Sequence, residues 1–227
     1  MPVGKRLRDE FDIEYITHWE PPKGDDLRPL IAMPNLAKPC HGLAPRTLLG
    51  RKTWDAMRKA CYAQADDTCE ICGRKPVDLR GRQSHEVYSI DYERGTAKFE
   101  KCVCLCKSDH LFGIHTGRAL ALYEKDSPLA SRGQLLDGAE HAFEIIADYN
   151  ADHPDEPPLR AYATFLDYLE CPDLEGPMRD MIEQFHIKFY MEDPNKLAKW
   201  SDWRLIIGDT EYPTPYADES EWAKKYN

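Results

Sequence analysis

The chain has 227 residues, of which 42% are hydrophobic and 31% charged, and it carries a net charge of −10 at pH 7. That length allows one large or two small domains with a real core, and the balance excludes a disordered chain. The negative total argues against a protein that coats nucleic acid through bulk electrostatics.

No stretch approaches the ~18 consecutive apolar residues of a membrane span. Met1 is followed by PVGKRLRDEFD, with no apolar segment behind the basic residues, so no signal peptide is expected and the expected location is cytoplasmic. Charge is unevenly spread. Residues 135–227 hold 8 Lys/Arg against 21 Asp/Glu, which leaves +3 for residues 1–134. Residues 43–83 are the most basic, with 9 Lys/Arg against 5 acids. That local face is compatible with a phosphate-bearing partner, and equally with a solvated helix face plus a loop.

In chain order, residues 1–45 carry seven prolines and little periodicity, which predicts an extended arm that wraps the domain or is partly disordered. TWDAMRKACYAQAD, from Thr53, predicts a helix with Trp54, Met57, Cys61 and Ala65 on one stripe. SHEVYSIDY (84–92) alternates and reads as a strand. ERG makes the turn, and TAKFEKCVCL (96–105) returns as the second strand of a hairpin. KSDHLFGIHTGRALALYEK (107–125) predicts a helix or broken helix, with Gly113 and Gly117 as weak points. Downstream, helices are expected over 133–150, around 160–170 and over 176–186. A hairpin with a GD turn is expected within 202–216, then a closing helix over 218–226. The resulting division is an arm (1–45), a ligand-rich unit (46–125) and an acidic, mainly helical region with a terminal hairpin (126–227).

Eight cysteines in a reducing compartment point to metal or free thiols rather than disulfides. Cys69 and Cys72 form a CxxC, whose tight turn aims both sulfurs at one spot. Cys106 and Asp109 repeat that i, i+3 spacing in CKSDH. The expected zinc site is Cys69, Cys72 and Cys106, with Asp109 or His110 as fourth ligand. Cys102 and Cys104 share a strand face with Cys106 and stop short of the turn. Cys40, Cys61 and Cys171 read as core thiols, and His18, His41, His141, His153 and His186 as ordinary histidines. A thiol redox protein is disfavoured, because CEIC lacks a surrounding βαβ pattern.

TWDAMRKACYAQADDTCEICG, HEVYSIDYERGTAKF and CLCKSDHLFGIHTGR together resemble the HNH (ββα-metal) nucleases, closest to uncharacterised phage and bacterial members with a CxxC. GLAPRTLLGRKTWD, IKFY and WRLIIGDTEYP extend the resemblance over residues ~42–227. It implies an α+β fold: a zinc-stabilised ββα-metal core over 46–125 with a mainly helical C-terminal extension ending in a small hairpin. It implies a metal-dependent DNA endonuclease or nickase of phage or mobile-element type, acting in the cytoplasm of a bacterial host cell. His85 would be the general base. His110 and His115 would hold a catalytic divalent ion (Mg²⁺, Mn²⁺ or Ni²⁺), with Glu86 as a catalytic candidate beside His85 and Asp91 a weaker one. Structural Zn²⁺ would pin the ends of the motif. Arg51, Lys52, Arg58, Lys59, Arg74, Lys75, Arg80 and Arg82 would hold flanking DNA phosphates.

The sequence departs from the family pattern in three places. Asp109 stands where a second thiolate is expected in the turn. No asparagine lies between His85 and His115. The two helix histidines are five residues apart, which on an α-helix rotates the second about 100° past alignment. The missing asparagine, the altered histidine spacing and the net charge of −10 favour the alternative of a catalytically inactive zinc-stabilised scaffold that binds a host protein or nucleic acid, for example a phage factor acting on host defence, while the His-Glu strand and the paired helix histidines favour the nuclease. Since His85 and Glu86 alternate on a strand, a buried, hydrogen-bonded His85 is as good a reading as a general base.

Overall fold

Alternation along residues 82–106 produces a long antiparallel hairpin, β3 (Arg82–Asp91) and β4 (Thr96–Cys106). Its turn is fixed by Gly95 at φ 68° and by Asp91, whose Oδ1 accepts from the Arg94 N–H at 2.8 Å. Asp91 is thus a turn residue at the far end of the hairpin from His85. His85 pairs with Val103 and Glu86 with Cys102, and the register shifts between Val87 and Tyr88. Residues 11–226 are described by this computed structural model, which is a mixed α+β fold.

The helix preceding the CxxC begins at Gly50 rather than Thr53. A short α1 (Pro45–Leu48) leads into α2 (Gly50–Gln64), whose Cys61 and Tyr62 pack on Cys104 of β4. After the hairpin comes a π-helical segment, Ser108–Ile114, and then α3 (Thr116–Glu124). The break therefore falls at His115, not at a glycine. Gly113 serves close packing instead: a Cβ there would lie 2.4 Å from Ile31 Cδ1.

Helix α4 (Arg132–Asp152) starts from a full capping box between Ser131 and Gln134, a pattern that satisfies two end donors reciprocally. It is followed by β5 (Ala161–Tyr162), α5 (Thr164–Glu170), α6 (Glu175–Phe185), β6 (Phe189–Glu192), β7 (Arg204–Ile207), β8 (Thr210–Pro213) and α7 (Glu219–Tyr226). The GD turn expected between the last two strands is present, with Gly208 at φ 58°.

The N-terminal segment is more than a wrapping arm. Its β1 (Ile13–Ile16) pairs in parallel with β6, and its β2 (His18–Trp19) extends the hairpin beside β3. Leu30, Ile31, Ala32 and Met33 are buried in the main core. At the other edge β7 joins β4 in parallel, giving a five-stranded sheet of order β2-β3-β4-β7-β8. The three predicted segments thus share one sheet and one core. Residues 1–10 of the expected arm, and Asn227, lie outside the described residues.

Candidate metal centres

The CxxC turn closes through backbone bonds: Gly73 N–H donates to Cys69 O and Cys69 N–H to Arg74 O, both at 2.9 Å. Gly73 takes φ 71°, a conformation without penalty for glycine. The turn is moored to the hairpin twice. Glu70 N–H donates to Cys104 O at 2.9 Å, and Cys104 N–H donates to Glu70 Oε2 at 2.6 Å. This brings Cys69 and Cys72 to the end of β4, where Cys106 and Asp109 complete a four-donor group whose ligand atoms all lie within 4.8 Å of one another.

Donor chemistry and spacing fit a tetrahedral thiolate-rich metal. Zn–S bonds near 2.3 Å imply sulfurs about 3.8 Å apart, and Cys72 Sγ and Cys106 Sγ stand 3.9 Å apart. Cys69 Sγ donates to Asp109 Oδ2 at 2.9 Å, and the Asp109 N–H donates to Cys106 Sγ at 3.4 Å. The neighbouring Cys69 and then Cys72 pull the Cys106 thiol down, to about 4. The Cys72 thiol is pushed up, first by its bond to Cys106. Asp109 is therefore the fourth donor of this centre and His110 is not.

His110 belongs to a second group. With His85 and His115 it forms a three-imidazole cluster with ligand nitrogens within 4.8 Å of one another. Ring centroids are separated by 5.3 Å (His85–His110), 5.1 Å (His85–His115) and 4.7 Å (His110–His115). Local structure resolves the five-residue spacing: the His115 N–H donates to His110 O at 3.1 Å, an i→i+5 bond of the π type. One wide turn returns the fifth residue over the first, so both rings face His85.

Burial is the leading cause that lowers all three imidazoles from the usual histidine range. It places His85 well below the usual histidine range, with His115 and His110 adding to the effect. His110 is brought down to about 3 by burial, then by His115, Arg118 and Arg46. His115 is brought down to about 4 by burial, then Arg118 and Arg46. Both ring nitrogens of His85 are buried without a hydrogen-bond partner among the described residues. An unpaired imidazole in a core is costly, and a ligand or a water on that nitrogen removes the cost.

Asn35, between two buried turns of the N-terminal segment, sits against this cluster. Its Oδ1 lies 2.9 Å from His115 Nδ1, which assigns the proton to Nδ1 and leaves Nε2 free as a ligand. Scanning between His85 and His115 for an asparagine misses it, because it comes from 80 residues upstream. Glu86 is not among the converging donors. Strand alternation turns it to the other face of β3, where burial raises its carboxyl and Arg46 opposes that rise.

The expected phosphate-binding face is largely self-neutralised. Arg51 and Arg58 both pair with Asp55, Lys75 with Asp66, Arg80 with Asp78, and Arg82 with Asp67. Lys52, Lys59 and Arg74 stay exposed. The basic groups whose charge reaches the imidazole cluster are instead Arg46 and Arg118, both exposed. Arg118 lies one helical turn past His115, a position that its distance from the basic segment concealed.

No helix of the described residues is long and apolar enough to cross a membrane. Comparison with known proteins gives no family: no protein-family model matches the chain significantly, and neither a curated protein nor a solved structure does.

Proposed function

We propose that this protein is a metal-dependent phosphodiester hydrolase acting on DNA, built on an HNH-like ββα unit over β3, β4 and the helical run that follows. One observation carries the reading: His85 from the first strand and His110 and His115 from the helical run converge on one point, where burial favours the neutral form of each ring. Neutral imidazole is the form that ligates a metal or accepts a proton from water.

In this reading His110 and His115 hold a divalent ion, with Asn35 fixing the His115 ring. When bound, that ion supplies Lewis-acid polarisation of the scissile phosphate. His85, whose nitrogens have no other partner, accepts the proton of the attacking water. Arg46 and Arg118 offset the phosphate charge. An all-imidazole set suits borderline metals such as Ni²⁺ better than Mg²⁺, which prefers oxygen donors. Cys69, Cys72, Cys106 and Asp109 hold a structural Zn²⁺ that clamps the CxxC turn to the end of the hairpin.

The test is nicking of supercoiled plasmid with Ni²⁺, Mn²⁺ or Mg²⁺, beside EDTA and His85→Ala controls. Nicking that requires both the metal and His85 is the expected result. A folded, zinc-loaded protein that nicks with no metal overturns the reading.

The second reading, a catalytically inactive scaffold binding a host protein or nucleic acid, is favoured by a different observation. Five of the nine bases in the basic segment are engaged in its own ion pairs, while residues 135–227 carry 21 acids against 8 bases. Under that reading His85→Ala leaves the biological effect intact.

A further inference from the structure

Asp109 uses its two carboxylate oxygens in opposite directions. Oδ2 accepts from Cys69 Sγ at 2.9 Å, while Oδ1 lies 3.0 Å from His141 Nε2 on α4. The Asp109 side chain is 0% exposed and that of His141 is 12% exposed. Although these two atoms are close, neither is aligned for a hydrogen bond with any group among the described residues. On its other side, His141 Nδ1 is 4.0 Å from Glu144 Oε2. A chain of groups therefore runs from the thiolate cluster through Asp109 and His141 towards Glu144. Nothing in the local sequence links its two halves, which are 32 residues apart.

We propose that His141 is a positioning residue of the thiolate centre. With zinc held by Cys69, Cys72, Cys106 and Asp109 Oδ2, the His141 Nε2–H donates to Asp109 Oδ1 and ties α4 to the CxxC turn and the end of the hairpin. The inference rests on the reading of that centre as a zinc site. Two physical arguments support it. A carboxylate ligand has two equivalent oxygens, and a donor on the distal one fixes a single-oxygen mode of binding and its orientation. Three thiolates and a carboxylate around a dication also leave an excess of two negative charges, and such buried charge needs donors. His141 supplies one from α4, which also packs on the Asp109 segment through Gly138 and Phe112. Zinc then acts as a staple between the hairpin unit and the acidic helical half, and not only within the hairpin unit.

The experiment compares wild type, His141→Ala, His141→Gln and His141→Asn as full-length proteins. Zinc affinity is measured by competition with a chromophoric chelator, and ligation by the visible spectrum after Co²⁺ exchange. His141→Ala is expected to lose about 10–100-fold in zinc affinity. His141→Gln, whose amide nitrogen reaches the position of Nε2, restores most of it, and His141→Asn does not. The thiolate-to-cobalt charge-transfer bands stay the same throughout, because no ligand is lost. Should His141→Ala fail to fold, the Gln and Asn variants carry the same comparison. Affinities within twofold of wild type in all variants would reduce His141 to packing and overturn the proposal. A Co²⁺ spectrum that changes ligand set in His141→Gln would make His141 a direct ligand, which also overturns it. If the wild-type protein binds neither zinc nor cobalt, the zinc reading itself falls, a separate and recognisable outcome.

Discussion

Asp109 and His110 share a peptide bond and serve different donor groups: Asp109 faces Cys69, Cys72 and Cys106, while His110 faces His85 and His115. The π-helical segment Ser108–Ile114 thus delivers one ligand to each centre. It is held from both sides by glycine contacts, Gly113 against Ile31 and Gly138 of α4 against Phe112. A disturbance of this segment should reach both centres, because neither ligand can shift without moving the other.

Removing the thiolate metal tests the first centre. Purified protein should hold zinc near one equivalent per chain by elemental analysis, and Cys106→Ser should lose it. A ligand that binds only the folded state stabilises by about 4 kcal/mol at 1,000-fold over its Kd. For a chain of this length that corresponds to roughly 8–16 °C in Tm. Calorimetry with and without a strong chelator should show a drop of that order in the wild type and none in Cys106→Ser.

Asn35 tests the second centre from outside it. In Asn35→Ala the His115 ring loses the acceptor that fixes its tautomer, and outer-shell losses of this kind cost about 10–100-fold in metal affinity. Asn35→Asp keeps an acceptor oxygen at the same reach and should retain affinity. Ni²⁺ titration of the two variants by calorimetry separates these outcomes. Equal affinity in Asn35→Ala and wild type would remove Asn35 from the site.

Gly138→Ala sets two effects against each other. Alanine is the better helix former by about 1 kcal/mol, yet its Cβ would lie 2.2 Å from Phe112 Cβ. That neighbour is anchored to backbone and cannot swing away, so overpacking of about 1–3 kcal/mol or more should win. Urea denaturation is expected to show net destabilisation. A more stable variant would mean that the π-helical segment can shift, contrary to the coupling of Asp109 and His110 through it.

What the sequence made legible follows from the range of the forces involved. Alternation and turn residues are local, so the hairpin and the Cys69–Cys72 half-site could be read directly. The choice between Asp109 and His110 could not, because both lie on a π-helical segment whose wide turn carries no mark in residue spacing. Asn35 and His141 escaped because each reaches its centre from a distant segment. The buried turn Arg28–Ala32 was hidden among prolines that signal extended chain, and the β4–β7 parallel pairing has no short-range mark at all. Spacing alone also could not reveal that Asp55, Asp66, Asp67 and Asp78 pair with five of the nine bases in the basic segment.

His41 gives the chain a pH-sensitive clasp away from both centres. Its Nε2–H donates to Leu36 O at 2.9 Å and its Nδ1 accepts from Trp222 Nε1–H at 3.1 Å, which engages both nitrogens of the neutral ring. Protonation would set N–H against N–H and release Trp222 on α7. Burial lowers the His41 pKa below 6.5, Lys38 lowers it further, and the Leu36 carbonyl opposes them. The unfolded or detached state therefore binds the proton first, and by linkage the docking of α7 strengthens with rising pH. Its contribution is full above about 6.5 and is lost as pH falls below that value towards the lowered folded one. The clasp is also held by the Lys38–Glu219 pair at 2.7 Å and by Lys38 over the Trp222 ring at 4.8 Å. Hydrogen exchange over residues 219–226 should therefore be faster at pH 5 than at pH 7.5 after correction for intrinsic rates. His41→Gln, which has no titrating group there, should abolish that difference. Persistence of the difference in His41→Gln would assign the sensitivity to another group and leave His41 a packing residue.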